Sequence, residues 1–296
     1  MRLASFTEGG RRRIGAVEGG EVLDLTAACP DLPREMRAFL EAGPRAMQRA
    51  QEAAPDSPRL ALDAVRLEAP IARPPKFLAV GLNYADHVAE SGMQPPPHPT
   101  IFNKQSTCVV GPFDSVHVPR ASHVLDYEGE LGFVIGTRCR HVSRADAEKV
   151  IAGYLVVDDV TVRDWQLRTP TMTMGKSFDT HGPIGPWIVT PDELGDPHGL
   201  ALRTWVNGEL RQESNTKELI FDCFALVEHL STAFTLEPGD IVATGTPAGV
   251  GIVRKPPLLL VAGDVVRVEI EGIGAIENAV IDEPEEPWIV PAEGDR

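Results

Sequence analysis

From residue 77 onward the hydrophobic positions fall in short runs rich in β-branched residues and punctuated by glycine or proline: "FLAVGLNY", "CVVG", "LGFVIG", "YLVVDDVTV", "GPWIVT", "ALRTWV", "DIVATGTP" and "DVVRVEIEGIGAIENAVID". Such runs predict strands. Two stretches carry helical spacing instead. They are "SRADAEKVIAGY", with Ser143 at a capping position and Asp146 three residues on, and "IFDCFALVEHLSTAF". "VNGEL" predicts a two-residue hairpin turn of type I′. Residues 1–68 read differently, as strand pieces ("LASF", "RIGAVEGG", "EVLDL") followed by the helical stretch "PREMRAFLEAGPRAMQRAQEAA", with a proline-rich linker, "PDSPRLALDAVRLEAPIARPPK", leading onward. The expectation is an α+β, β-rich chain: a small N-terminal α+β domain, 1–68, and a larger catalytic-sized domain, 69–296.

One run conflicts with its own pattern. In "LDYEGELGFVIG", 125–136, Leu125, Tyr127, Leu131, Phe133 and Ile135 occupy one set of alternate positions, and Asp126, Glu128 and Glu130 open the other. Successive side chains of a strand point to opposite faces, so the three carboxylates line up about 7 Å apart. Like charges so placed repel, and one takes up a proton unless something positive lies between them.

Composition narrows the setting. The 296 residues are 43% hydrophobic, enough for a sizeable core, and 27 glycines with 26 prolines favour many turns between short strands. Asp and Glu number 43 against 28 Lys and Arg, a net charge of −15, which argues against nucleic-acid binding. Cys29, Cys108, Cys139 and Cys223 are scattered, without metal-like spacing, and read as reduced packing residues of a cytoplasmic protein. There is no signal-peptide core and no apolar run of 18 residues, so no membrane partner is expected.

A hard divalent cation resolves the conflict at 125–136, because Mg²⁺ or Mn²⁺ takes oxygen ligands. Glu128 and Glu130 offer two, and either acid of "VVDD", Asp158 or Asp159, offers a third at the end of an apolar strand. The alternative is a solvated acidic face on an edge strand. His87 and Glu90 lie three apart in "ADHVAE", so a short helix puts both on one face, an arrangement suited to a general base. Lys104 in "IFNKQST" and Lys176 in "MGKSF" sit among apolar or small residues, where a lysine needs an anionic partner. Arg163 and Gln166 follow Asp159 by four and seven residues, so a helical turn keeps them near it. The glycines of "ATGTPAGVG" permit close backbone approach, through which Thr246 and its amide could meet an oxyanion.

Five stretches in this order, "GLNYADHVAESG", "DYEGELGFVIG", "GYLVVDDVTVRDWQ", "MGKSFDTHGPIGPW" and "GDIVATGTPAGVG", resemble the fumarylacetoacetate hydrolase family. The resemblance implies a mixed β-roll fold, usually homodimeric, with one divalent cation (Mg²⁺ or Mn²⁺, Ca²⁺ left open) held by Glu128, Glu130 and Asp159. It implies that His87 and Glu90 activate water on a segment that closes over substrate, and that "GMQPPPHPT" ends this lid. Lys104 and Lys176 would face substrate, Lys176 at a developing enolate, and Arg163, Gln166 and Thr246 would orient the substrate acid and carbonyl. Leu82 departs from relatives that carry arginine there, and His181 stands where an aromatic or apolar residue is common; packing is its expected role.

The implied activity is hydrolysis of a C–C bond in a 1,3-diketo acid of the acylpyruvate or fumarylpyruvate type, through activated water and an enolate stabilised at the metal. Oxaloacetate decarboxylation, or isomerisation of an unsaturated 2-oxo diacid, is the alternative in the same site. The expected partner is a small 2-oxo or 2,4-dioxo acid. A non-catalytic protein with a structural Ca²⁺ is the reading of a different class, and it leaves the His/Glu pair and Lys176 without a use.

Overall fold

The computed structural model describes residues 1–285; the last part of the expected 69–296 domain, 286–296, lies outside the described residues. The N-terminal segment folds as three antiparallel strands, β1 (Arg2–Glu8), β2 (Arg11–Glu18) and β3 (Glu21–Asp24), then the helices α1 (Leu25–Ala28), α2 (Met36–Glu41) and α3 (Pro44–Ala53). The single helical stretch expected at 33–54 is thus split. Gly43 takes φ +74° and Pro44 starts the next helix, where its missing N–H costs nothing. Strands β4 (Arg59–Ala61) and β5 (Arg66–Glu68) return to pair with β3 and β1.

The remaining strands are β6 (Phe77–Gly81), β7 (Thr100–Lys104), β8 (Val109–Val110), β9 (Val116–Val118), β10 (Leu125–Asp126), β11 (Gly129–Ile135), β12 (Ile151–Asp158), β13 (Thr161–Val162), β14 (Gly182–Val189), β15 (Ala201–Val206), β16 (Glu209–Asn215), β17 (Ile241–Ala243), β18 (Val265–Ile270) and β19 (Gly274–Asp282). A 12-stranded mixed sheet runs β4-β3-β2-β1-β14-β12-β11-β17-β6-β7, with β5 on β1 and β8 on β14. A five-stranded sheet, β16-β15-β18-β19-β9, and the ribbon β10-β13 complete the β structure. The fold is α+β and β-rich, as expected.

The N-terminal strands are continuous with the catalytic sheet, because Arg2 and Leu3 of β1 pair with Val189 and Ile188 of β14. Leu3, Ile14, Met36 and Phe39 share a buried cluster with Phe77, Val134, Leu155 and Ile184.

The hairpin at 206–209 has Asn207 and Gly208 both at positive φ, as a type I′ turn demands. "IFDCFALVEHLSTAF" yields a helix, Cys223–Ala233, capped by Asp222, which accepts from the Ala225 N–H at 2.8 Å. The expected helix in "SRADAEKVIAGY" survives only as a 3-10 segment, Arg144–Val150. Its apolar second half is instead the start of β12, drawn into the ladder between β11 and β14. Tertiary pairing overrides the local spacing there.

Candidate metal centre

The site grows out of the β11–β12 pair. Gly129 lies opposite Asp158, and the Asp159 N–H donates to the Glu128 carbonyl at 2.8 Å, so the start of one strand meets the end of the other. This register brings carboxylate oxygens of Glu128, Glu130 and Asp159 within 4.8 Å of one another. All seven residues of β11 are buried, so the acids do not lie on a solvated edge. The expected continuous strand is interrupted at Tyr127 and Glu128, and this turns Asp126 aside. Asp126 accepts from the Gly251 and Ile252 N–H groups at 2.8 and 3.0 Å and from Arg163 at 2.9 Å.

The positive partners are also buried. Arg163, on the short helix α5 (Arg163–Gln166; α4 is Ala85–Ser91), bridges Asp126 and Glu128 and donates to the Gln166 side-chain oxygen at 3.1 Å. Lys176 spans Glu128 and Asp159, 2.6 Å from each. Lys104 lies 2.6 Å from Asp159 and donates to the Lys176 carbonyl.

Five buried carboxyls (Asp126, Glu128, Glu130, Asp158, Asp159) therefore face three buried cations (Lys104, Arg163, Lys176), leaving two positive charges wanting. The titration behaviour reflects the shortfall. Burial opposes ionisation of Glu128, yet Lys176 and Arg163 bring its pKa down to about 2. Burial, reinforced by the Asp159 and Glu128 carboxylates, pushes Glu130 well above the usual carboxylate range, and burial lifts Asp158 to about 7. Without another cation, burial favours the protonated forms of Glu130 and Asp158. One divalent cation supplies the same two charges, and three converging carboxylates suit Mg²⁺ or Mn²⁺. The donor set fits such an ion.

A cavity of about 470 Å³ opens over this cluster, lined by seven of the ten expected site residues: His87, Glu128, Glu130, Arg163, Gln166, Lys176 and Thr246. Its other walls include Val80, Leu82, Met93, Phe102, Leu167, Arg168 and Met172. Asp159, Glu90 and Lys104 do not line it. Lys104 was expected at the substrate. Its fully buried ammonium is instead engaged by Asp159 and the Lys176 carbonyl.

His87 and Glu90 share one face of α4, as their spacing predicts, with Nδ1 of the imidazole 3.6 Å from a Glu90 oxygen. Thr246 and its amide were expected at a substrate oxyanion. Other amides of the loop 244–251 go to the chain's own carboxylates: Gly245 N–H donates to Glu130 at 2.8 Å, Ala248 to Asp86 at 3.3 Å, and Gly249 to both oxygens of Glu90 at 3.1 and 3.0 Å. Gly249 makes the approach at φ +104°, where an added Cβ would strike the Arg211 carbonyl. The Thr246 hydroxyl is committed too, donating to the Gly129 carbonyl and accepting from Gln212.

Sequence reading passed over Asp86 and Gln212. Asp86 also accepts from Ser214 at 2.5 Å, and Gln212 accepts from the Gly129 N–H at 3.0 Å. Asp86 sits inside the "ADHVAE" motif, where its place beside His87 was the available signal; Gln212, a lone polar residue in a strand, offered none. His181 is buried, its Nε2 2.8 Å from the His117 carbonyl and its ring 5.5 Å from Phe178, which accords with packing.

Residues 76–281 match the family model described as Fumarylacetoacetate (FAA) hydrolase C-terminal. The chain belongs to the fumarylacetoacetate hydrolase family. Within it, the chain is 44% identical over 288 residues to oxaloacetate tautomerase fahd2, mitochondrial, of Xenopus laevis, covering 95% of this chain and 90% of that protein. The solved fumarylacetoacetate hydrolase of Exiguobacterium antarcticum superimposes with a TM-score of 0.85 at 39% identity, covering 96% of this chain and all of that one. Maleylpyruvate hydrolase of Sphingobium sp. SYK-6, solved in complex with manganese (II) ion and pyruvate, gives 0.81 at 34% over the same shares. The chain is an enzyme of this family. No helix among the described residues is long and apolar enough to cross a membrane.

Proposed function

We propose that this enzyme interconverts the keto and enol forms of a small 2-oxo diacid of the oxaloacetate type, with Mg²⁺ or Mn²⁺ at Glu128, Glu130 and Asp159. The observation that carries this reading is the 44% identity to an oxaloacetate tautomerase along 95% of the chain. The acidic cluster and cavity supply the chemistry the reaction needs. The 2-oxo acid end of the substrate sits against the cluster, beside Gln166 and Thr246. A divalent cation held there by Glu128, Glu130 and Asp159 would polarise a 2-oxo carbonyl and make the neighbouring C–H acidic.

His87 accepts a proton from the carbon next to that carbonyl and returns it to the oxygen, so the product differs from the substrate only in the position of one hydrogen. Glu90, held by the Gly249 N–H, faces Nδ1 of His87 at 3.6 Å and leaves Nε2 for substrate. The Lys176 ammonium, fixed between two carboxylates, lies where negative charge develops on the oxygen. Arg163 holds Glu128 in place instead of gripping the substrate acid.

A second reading is hydrolysis of an acylpyruvate, with His87 deprotonating water; the likeness to a maleylpyruvate hydrolase solved with manganese and pyruvate favours it. Decay of enol-oxaloacetate absorbance with added Mg²⁺ or Mn²⁺ or with EDTA, run beside a panel of acylpyruvates, decides between them. Tautomerisation should require the cation and fall about 10²- to 10⁴-fold in His87→Ala. Release of pyruvate from an acylpyruvate at a higher kcat/KM than tautomerisation would establish the hydrolase instead. We propose in addition a homodimer, to be weighed by light scattering, in a reducing compartment, which suits four unpaired cysteines.

A further inference from the structure

The basic groups of the cavity divide into two sets. Arg163 and Lys176 are taken up by Asp126, Glu128 and Asp159. Arg168 alone among the lining lysines and arginines stands outside the acidic cluster. Much of the remaining wall is apolar (Val80, Leu82, Met93, Phe102, Met172), so it offers no cation to a second acidic group of a substrate whose 2-oxo acid end lies at the cluster.

Arg168 is placed in advance. Its guanidinium stacks on Trp165 at 3.9 Å, and Trp165 is braced edge-on by Phe178 with 5.2 Å between ring centres. One nitrogen, Nη2, donates to Asp164 at 3.2 Å, and the other oxygen of Asp164 accepts from Ser122 at 2.6 Å. The other N–H groups of the fork are uncommitted among the described residues, and a planar fork held on an aromatic face loses little freedom when it takes a carboxylate.

We propose that Arg168 is the specificity-determining residue that receives the distal carboxylate of the substrate, restricting efficient turnover to 2-oxo diacids. The inference rests on the proposed binding of a 2-oxo acid at the cluster. Arg168 is half exposed and its pair with Asp164 is a surface one, so its replacement leaves the fold intact.

The experiment compares wild type, Arg168→Met and Arg168→Lys with Mn²⁺ present. It reads KM and kcat for oxaloacetate tautomerisation, and inhibition by oxalate, which offers only the chelating end. Arg168→Met should raise KM about 10- to 100-fold with kcat within about twofold, leave oxalate inhibition unchanged, and be partly rescued by Lys. An unchanged KM, or equal weakening of oxaloacetate and oxalate, overturns the assignment of Arg168 while the site reading stands. Wild-type protein that neither turns over oxaloacetate nor binds oxalate with Mn²⁺ overturns the site reading, and this inference with it.

Discussion

Asp126 and Glu128 are two residues apart, equally acidic and both buried, yet they do different work. Asp126 is saturated by three backbone N–H groups, those of Tyr127, Gly251 and Ile252, and by Arg163, so its task is to hold the 251–252 turn and the guanidinium. Asp126→Ala should cost about 1–3 kcal/mol in a denaturant titration, because buried N–H donors lose their acceptor while Arg163 keeps Glu128. Glu128→Gln should instead register in calorimetric Mn²⁺ affinity, with a loss of at least about tenfold. His181 gives a pH prediction. Burial, assisted by the neighbouring Lys104 charge, drops its pKa to about 3, so the folded protein keeps it neutral while the unfolded chain protonates near 6.5. Stability is therefore lost as pH falls from 6.5 toward 3, by about 1.4 kcal/mol per pH unit in that window. Unfolding of His181→Gln beside wild type across the window should show the slope flatten in the variant.

At the scale of elements, α4 was legible because His87 and Glu90 differ by three, and the meeting of β11 with β12 because acids stood out at the end of an apolar run. Lys104 does not line the cavity, although Phe102 of the same strand does, because its ammonium is engaged by Asp159 and the Lys176 carbonyl, distant partners that no local pattern records. The same limit hid the latch of α4. Asp86 and Glu90 bind Ser214, Ala248 and Gly249, residues more than a hundred positions away. Asp86→Ala should free the helix while leaving the sheets alone. It should change kcat and KM together, lowering kcat/KM by about tenfold, and speed proteolytic cleavage in 85–99. The melting temperature should move little, and a large fall would mean that Asp86 serves the core.

For the whole molecule, the expected division at residue 68 rests on a change of sequence pattern, from a short strand-and-helix unit to long β-rich runs. Yet β1 and β14 are hydrogen-bonded neighbours in one sheet. Strand pairing between residues 187 positions apart leaves no mark in local spacing, which is why the proline-rich stretch read as a linker. A cation bound to the folded acids but not to the unfolded chain should raise stability by about 2.7 kcal/mol at 100 times its Kd, visible as a melting point that climbs with Mn²⁺ and falls with EDTA. The loop 244–251 gives this a second face. It grips Glu130 through Gly245 and α4, which carries His87, through Gly249, so a bound ion and that helix would act on one short stretch of backbone. Thermodynamic reciprocity then applies: whatever factor the ion adds to the affinity for an acid that engages α4, that acid adds to the affinity for the ion. Substrate would be the agent that retains the metal, and an idle enzyme the one that gives it up.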